Sequence, residues 1–187
     1  MRFMPHQLEY ITLLRMDFSR SFNIQLATLF GLGRIPGGGT WASLFVLLIA
    51  LYEQSAETAS FLAFFTLIIG PRAYDKLIVE SKSEDPKEYV LDEVIGMGIA
   101  ISGVNIFNNF YGQFQFDINF LSDISILYIL TFIIFRFFDI SKIGPVGWVE
   151  NNPTEKPYLK VIGDDIMASI LSIVVVIIIL SIKLWIV

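Results

Sequence analysis

A chain of 187 residues that is 55% hydrophobic and only 17% charged, with a mean hydropathy of +0.66, is too apolar for an ordinary soluble domain, and lipid is the natural solvent for the surplus. A net charge of −5 offers no basic face for tracking phosphates and counts against nucleic acid as a partner. The absence of cysteine removes disulfides, thiolate metal sites and a cysteine nucleophile, and the lone histidine, His6, leaves no material for a histidine pair.

In chain order, residues 1–25 come first. They lack the uninterrupted apolar core and small-residue cleavage site of a secretory signal, so this stretch is expected to stay in place as an interfacial segment, with His6 incidental. Three apolar blocks of about 12 to 14 residues follow, Trp41 to Tyr52, Thr58 to Gly70 and Val94 to Phe107, a length that suits either a short crossing or a buried core helix. Between the second and third, SKSEDPKEY reads as a mobile loop. Phe120 to Phe138 is long enough to span, with Asp123 near its start at headgroup level. Ile166 to Val187, about 22 residues, covers roughly 30 Å of hydrocarbon at about 1.5 Å per residue.

Positive charge supplies an independent test of topology, because short cytoplasmic loops retain Lys and Arg. Arg2, Arg15, Arg20 and Arg34 precede the first block; Arg72, Lys76, Lys82 and Lys87 separate the second from the third; Arg136, Lys142, Lys156 and Lys160 separate the fourth from the fifth. The connectors between have none, and Lys183 at the far end can snorkel. Five crossings with the N-terminus inside satisfy the rule. The expectation is an all-α, polytopic membrane bundle forming one domain over 1–187, without internal repeats, whose candidate polar segments gather on one side of the bilayer.

Four segments carry those candidates. In GLGRIPGGGTWASL, glycines run into an apolar helix, so free amides near Gly39 and the hydroxyls of Thr40 and Ser43 suit phosphate oxygens; the plainer alternative is a turn with Thr40 as N-cap. The Lys-Ser/Thr ending of a nucleotide P-loop is missing. Asp92-Glu93 opens the third block and Asp164-Asp165 the fifth. Each doublet is explained either by the helix dipole or as oxygen ligands for magnesium. In RFFDISKIGP, Arg136 and Asp139 share a helix face; a simple ion pair or a snorkelling Arg136 competes with a reading in which Asp139 is a metal ligand or acid-base group and Lys142 contacts phosphate.

Taken in order, these segments resemble phosphatidylglycerophosphatase A, a bacterial membrane phosphatase of phospholipid synthesis. Gly39, Thr40 and Ser43 match its Gly-Thr turn, DEVIGM from Asp92 to Met97 its Asp-Glu stretch, Arg136, Asp139, Lys142 and Pro145 its helix end, and Asp164, Asp165 and Ala168 its Asp-Asp motif. The chain departs from the pattern in having Lys-Ile-Gly-Pro for Lys-Pro-x-Pro, only Gly163 before the second acidic pair, and no histidine ahead of Asp92. The resemblance implies hydrolysis of phosphatidylglycerol phosphate to phosphatidylglycerol and phosphate, at the cytoplasmic face of a bacterial inner membrane. It assigns magnesium to Asp92, Glu93, Asp164 and Asp165, catalysis to Asp139, Lys142 and Asp165, and substrate binding to Gly39, Thr40, Ser43, Arg136 and Lys142. The rival readings are a small ion-binding transporter subunit, whose acids should lie mid-span, and an inactive relative that acts as a scaffold.

Overall fold

The structure is a computed structural model that describes residues 19–83, 86–111, 123–152 and 157–186, with side chains for all of these except 111 and 183–186. His6, most of the expected interfacial segment, part of the SKSEDPKEY loop and most of the connector ahead of Asp123 lie outside the described residues. Within them the regular structure is entirely helical. Residues 19–27 form α1, a 3-10 turn covers Leu32–Arg34, and α2 (Gly38–Glu53), α3 (Glu57–Ser81), α4 (Leu91–Tyr111), α5 (Asp123–Ser141), α6 (Pro145–Asn151) and α7 (Pro157–Ile186) follow.

Two of these helices, α5 and α7 up to Ile182, are long and apolar enough to cross a bilayer, with mean hydropathies of 1.9 and 2.8. Apolar side chains also face outward in helical stripes: Trp41, Phe45 and Leu48 on α2, and Phe61, Phe64 and Ile68 on α3. α5 and α7 carry similar stripes, among them Ile133, Phe137 and Ile140, and Ile170, Val174 and Ile178. Exposed bands of this extent are costly in water and unremarkable against lipid tails.

α4 occupies the centre and packs against α2, α3, α5 and α7. Its glycines permit this crowding. A Cβ on Gly98 would stand 2.6 Å from the Ala59 carbonyl and 2.7 Å from the Ala63 methyl of α3, and one on Gly103 would stand 2.4 Å from Ile173 of α7. Small residues at helix crossings let backbones approach, which is how apolar helices gain packing energy without water to drive them together. Polar side chains add bonds across the crossings: Ser60 and Ser102 hydroxyls pair at 2.6 Å, and Tyr128 donates to Asn105 at 2.9 Å.

Helix direction follows from these contacts. Gln54, just past α2, bonds Ser125 near the start of α5 at 3.0 Å, while Arg136 near the end of α5 reaches Thr40 at the start of α2; α2 and α5 are antiparallel. α4 runs against α3 and alongside α7, since Gly96 and Gly103 meet Asp165 and Ile173 respectively. The starts of α2 and α4, the end of α5 and the early turns of α7 therefore share one end of the bundle.

Three helix boundaries differ from the sequence expectation. α3 runs through Gly70 and Pro71 to Ser81 instead of ending at Gly70, carrying the proline internally. α4 spans Leu91–Tyr111, longer at both ends than the Val94 to Phe107 block, with Asp92 and Glu93 in its first turn. α7 begins at Pro157, so Asp164 and Asp165 sit two turns inside a helix rather than at its entrance; the apolar run alone starts at Ile166, but Pro is well suited to a first helical turn. Thr40 is not an N-cap. That position is Gly37, in the left-handed region at φ 75°, and Thr40 lies inside the first turn of α2.

Candidate active site

At the shared end of the bundle, the backbone has been cleared for carboxylates. A Cβ on Gly39 would lie 1.8 Å from Oε1 of Glu93, so the Glu93 carboxylate rests directly on the first turn of α2. Gly96, one turn into α4, lets α7 come close: a Cβ there would be 3.1 Å from Cβ of Asp165 and 2.8 Å from the Phe135 ring. The Ser169 hydroxyl fixes that crossing by approaching both the Gly96 and Asp165 carbonyls at 2.7 Å. Asp92 is held from behind, its Oδ1 accepting the Glu93 backbone N–H at 3.0 Å.

The result is a trio. One carboxylate oxygen from each of Asp92, Glu93 and Asp165 lies within 4.8 Å of the others, and Asp92 and Asp165 are only 9% and 3% exposed. Oε2 of Glu93 and Oδ1 of Asp165 are buried with no hydrogen-bond partner. Like charges this close and this dry repel strongly unless a cation or protons compensate them. The donor set, all hard oxygen, fits magnesium or another hard divalent ion, and the orphaned Oε2 of Glu93 supplies a free ligand atom for it.

Beside the trio stands a basic pair. Arg136 forms an ion pair with Asp139, and its guanidinium also donates to Ser43 at 3.3 Å and to Thr40 at 3.1 Å. Its Nε is buried without a partner, so one N–H of the planar fork lacks an acceptor. Lys142 caps α5 in the left-handed region at φ 50°, which swings its ammonium back to Asp139 at 3.0 Å and onto Asp164. Burial pushes the Lys142 ammonium down, but the charges of Asp139 and Asp164 and their hydrogen bonds outweigh it and hold its pKa above the ordinary lysine value. Lys142 is a permanent cation here.

The comparison with protein families decides what this arrangement belongs to. The family model for Phosphatidylglycerophosphatase A matches residues 25–180, most of the chain. The chain belongs to the phosphatidylglycerophosphatase A family. No curated protein and no solved structure matches it. Membership in the phosphatidylglycerophosphatase A family implies phosphatase activity on a phospholipid headgroup, and the two apolar helices agree with membrane association.

The candidate site residues Gly39, Thr40, Ser43, Asp92, Glu93, Arg136, Asp139, Lys142, Asp164 and Asp165 lie at this end of the bundle, in a division of labour that spacing alone does not reveal. Of the two acidic doublets, Asp92, Glu93 and Asp165 converge, whereas Asp164 turns to Lys142. Thr40 and Ser43 face Arg136, and Gly39 serves by lacking a side chain where Glu93 sits. Ser169, a small residue inside an apolar run, carries no signal in the sequence. Nor do Tyr89 and Tyr158, whose buried hydroxyls lie against Gly70 of α3.

Proposed function

We propose that this chain removes the terminal phosphate of phosphatidylglycerol phosphate, yielding phosphatidylglycerol and inorganic phosphate. The reaction takes place at the cytoplasmic face of a bacterial inner membrane that the single domain crosses several times. The observation that carries the reading is the buried carboxylate trio beside a paired arginine and lysine, in a chain of this family. Asp92, Glu93 and Asp165 would hold magnesium, with Asp164 at the edge of the site. When bound, the metal supplies Lewis-acid polarisation of the phosphate and of the attacking water.

The chain's own residues do the rest. The guanidinium of Arg136 and the ammonium of Lys142 bind the phosphate oxygens and offset the charge that builds on them. Thr40 and Ser43 act on the substrate through Arg136, keeping its guanidinium in one plane. Asp139, tied to both cations, orients them. Asp165, with an unpartnered oxygen, accepts the proton of the water whose oxygen forms the new bond to phosphorus. The bond from phosphorus to the glycerol oxygen breaks, and that oxygen takes a proton from solvent. Placement of the acids in the first turn of α4 and the third turn of α7 favours headgroup chemistry over ion transit through mid-span.

Phosphate release by the purified protein in detergent, with phosphatidylglycerol phosphate as substrate, tests the reading. Release that requires added magnesium and stops with EDTA is the expected result. No release under any divalent ion would support an inactive scaffold or an ion-binding subunit instead.

A further inference from the structure

Three tyrosines from three parts of the chain meet in edge-to-face and tilted contacts. Tyr74 of α3, Tyr89 in the turn before α4 and Tyr158 at the start of α7 have ring centroids 5.3 to 6.4 Å apart. The rings explain themselves as packing. The hydroxyls do not, because phenylalanine would fill the same space. A Cβ on Gly70 would stand 2.5 Å from the Tyr158 oxygen and 2.9 Å from the Tyr89 oxygen, so both hydroxyls converge on one bare point of α3. Both are buried, and the partner each has within reach is the other, a bond that uses one hydroxyl proton and leaves the second without an acceptor. A buried hydroxyl proton without an acceptor is destabilising, and the one left over here indicates a polar guest beside the pair.

The charge that would orient such a guest is at hand. Tyr89 stands three residues, about one helical turn, ahead of Asp92, and the Asp92 charge acts on both phenols. Burial first, then Tyr158 and the acids Asp92 and Glu93, push the Tyr89 phenol up, so it remains a donor at every physiological pH. We propose that Tyr89 and Tyr158 are positioning residues for Asp92: their hydroxyls hold a buried water that donates to the Asp92 carboxylate and fixes it for a divalent cation. Partners in the second layer commonly set the orientation and basicity of metal-binding groups in this way, and a site with two hydroxyls and a carboxylate has the polar contacts a buried water needs.

This inference rests on the proposed cation site, and the test separates the two. Mn2+ binding to the purified full chain in detergent is followed by electron paramagnetic resonance for wild type, Tyr89→Phe, Tyr158→Phe, Gly70→Ala and Asp165→Asn, with thermal unfolding of each in EDTA. Each Phe variant keeps its ring and is expected to weaken Mn2+ binding by about tenfold while leaving the unfolding temperature in EDTA unchanged or raised. Gly70→Ala, which drives a methyl between the hydroxyls, is expected to weaken binding likewise. Affinities within about twofold of wild type would overturn the proposal. So would a fall in unfolding temperature that matches the loss of affinity, the signature of hydroxyls that only support the packing of α7 on α3. If wild type binds no Mn2+, or Asp165→Asn binds as well as wild type, the cation site itself fails and this inference falls with it.

Discussion

Arg136 shows how a side chain acquires a task from its neighbours. Thr40 and Ser43 accept two of its N–H bonds and Asp139 neutralises it, while Nε stays buried and unpaired. Lysine at this position lacks the planar fork, so Arg136→Lys is expected to lower kcat/KM by about 10². Thr40→Ala should cost about 1 kcal/mol, several-fold in rate, in the wild-type background. In an Arg136→Ala background it should cost nothing further, because residues acting through one group are not additive; an additive pair, read from the same phosphate-release kinetics, would mean that Thr40 touches the substrate directly. Lys142 makes a different prediction. Its folded pKa lies above the ordinary value of 10.5, so its ion pairs contribute fully below that pH and are lost only as pH climbs through the folded value. Between about pH 6 and 9 the rate profile of Lys142→Met is therefore expected to keep the wild-type shape at lower amplitude. A changed shape would show that Lys142 titrates in that window.

At the scale of helices, the crossings of α4 decide the fold. Replacing Gly98 by alanine gains up to about 1 kcal/mol of helix propensity but drives a methyl into the Ala59 carbonyl and Ala63, an overpacking cost of about 1 to 3 kcal/mol. The second effect wins, and Gly98→Ala is expected to lower the unfolding temperature in detergent; an unchanged or higher value would show that α3 and α4 are not held at this spacing. The same helix shows why the sequence was only partly readable. Lipid-facing α7 announces itself, because its outward stripe of Ile and Val makes an unbroken apolar run. α4 faces protein on most sides, so its Gly, Ser and Asn residues dilute the hydropathy and its apolar block looked too short. The apolar block ends at Gly70, yet α3 continues through Pro71 into the charged residues beyond it. The acidic doublets and Arg136, Asp139 and Lys142 were legible because charge beside long apolar runs is conspicuous. That Asp164 and Asp165 part company was not, because adjacent residues on a helix point about 100° apart and only the packing of α7 on α4 selects which one faces Asp92.

For the molecule as a whole, alternating helix direction places the α2–α3 connection at the opposite end from the carboxylates. The chain has no cysteine, so single-cysteine variants report topology cleanly. In intact cells, Ser55→Cys is expected to react with a membrane-impermeant maleimide and Ser83→Cys only after permeabilisation; labelling of both from one side would contradict the proposed crossings. The central claim is that carboxylates distant in sequence share one divalent cation for lipid phosphate hydrolysis, and the neighbours Asp164 and Asp165 test it most directly. Phosphate release from phosphatidylglycerol phosphate is measured across a magnesium titration for each Asn variant. The account predicts that Asp165→Asn loses at least about 10² in rate at every magnesium concentration, while Asp164→Asn keeps the wild-type magnesium requirement at reduced turnover. Wild-type release by Asp165→Asn, or release that persists in EDTA, would contradict it.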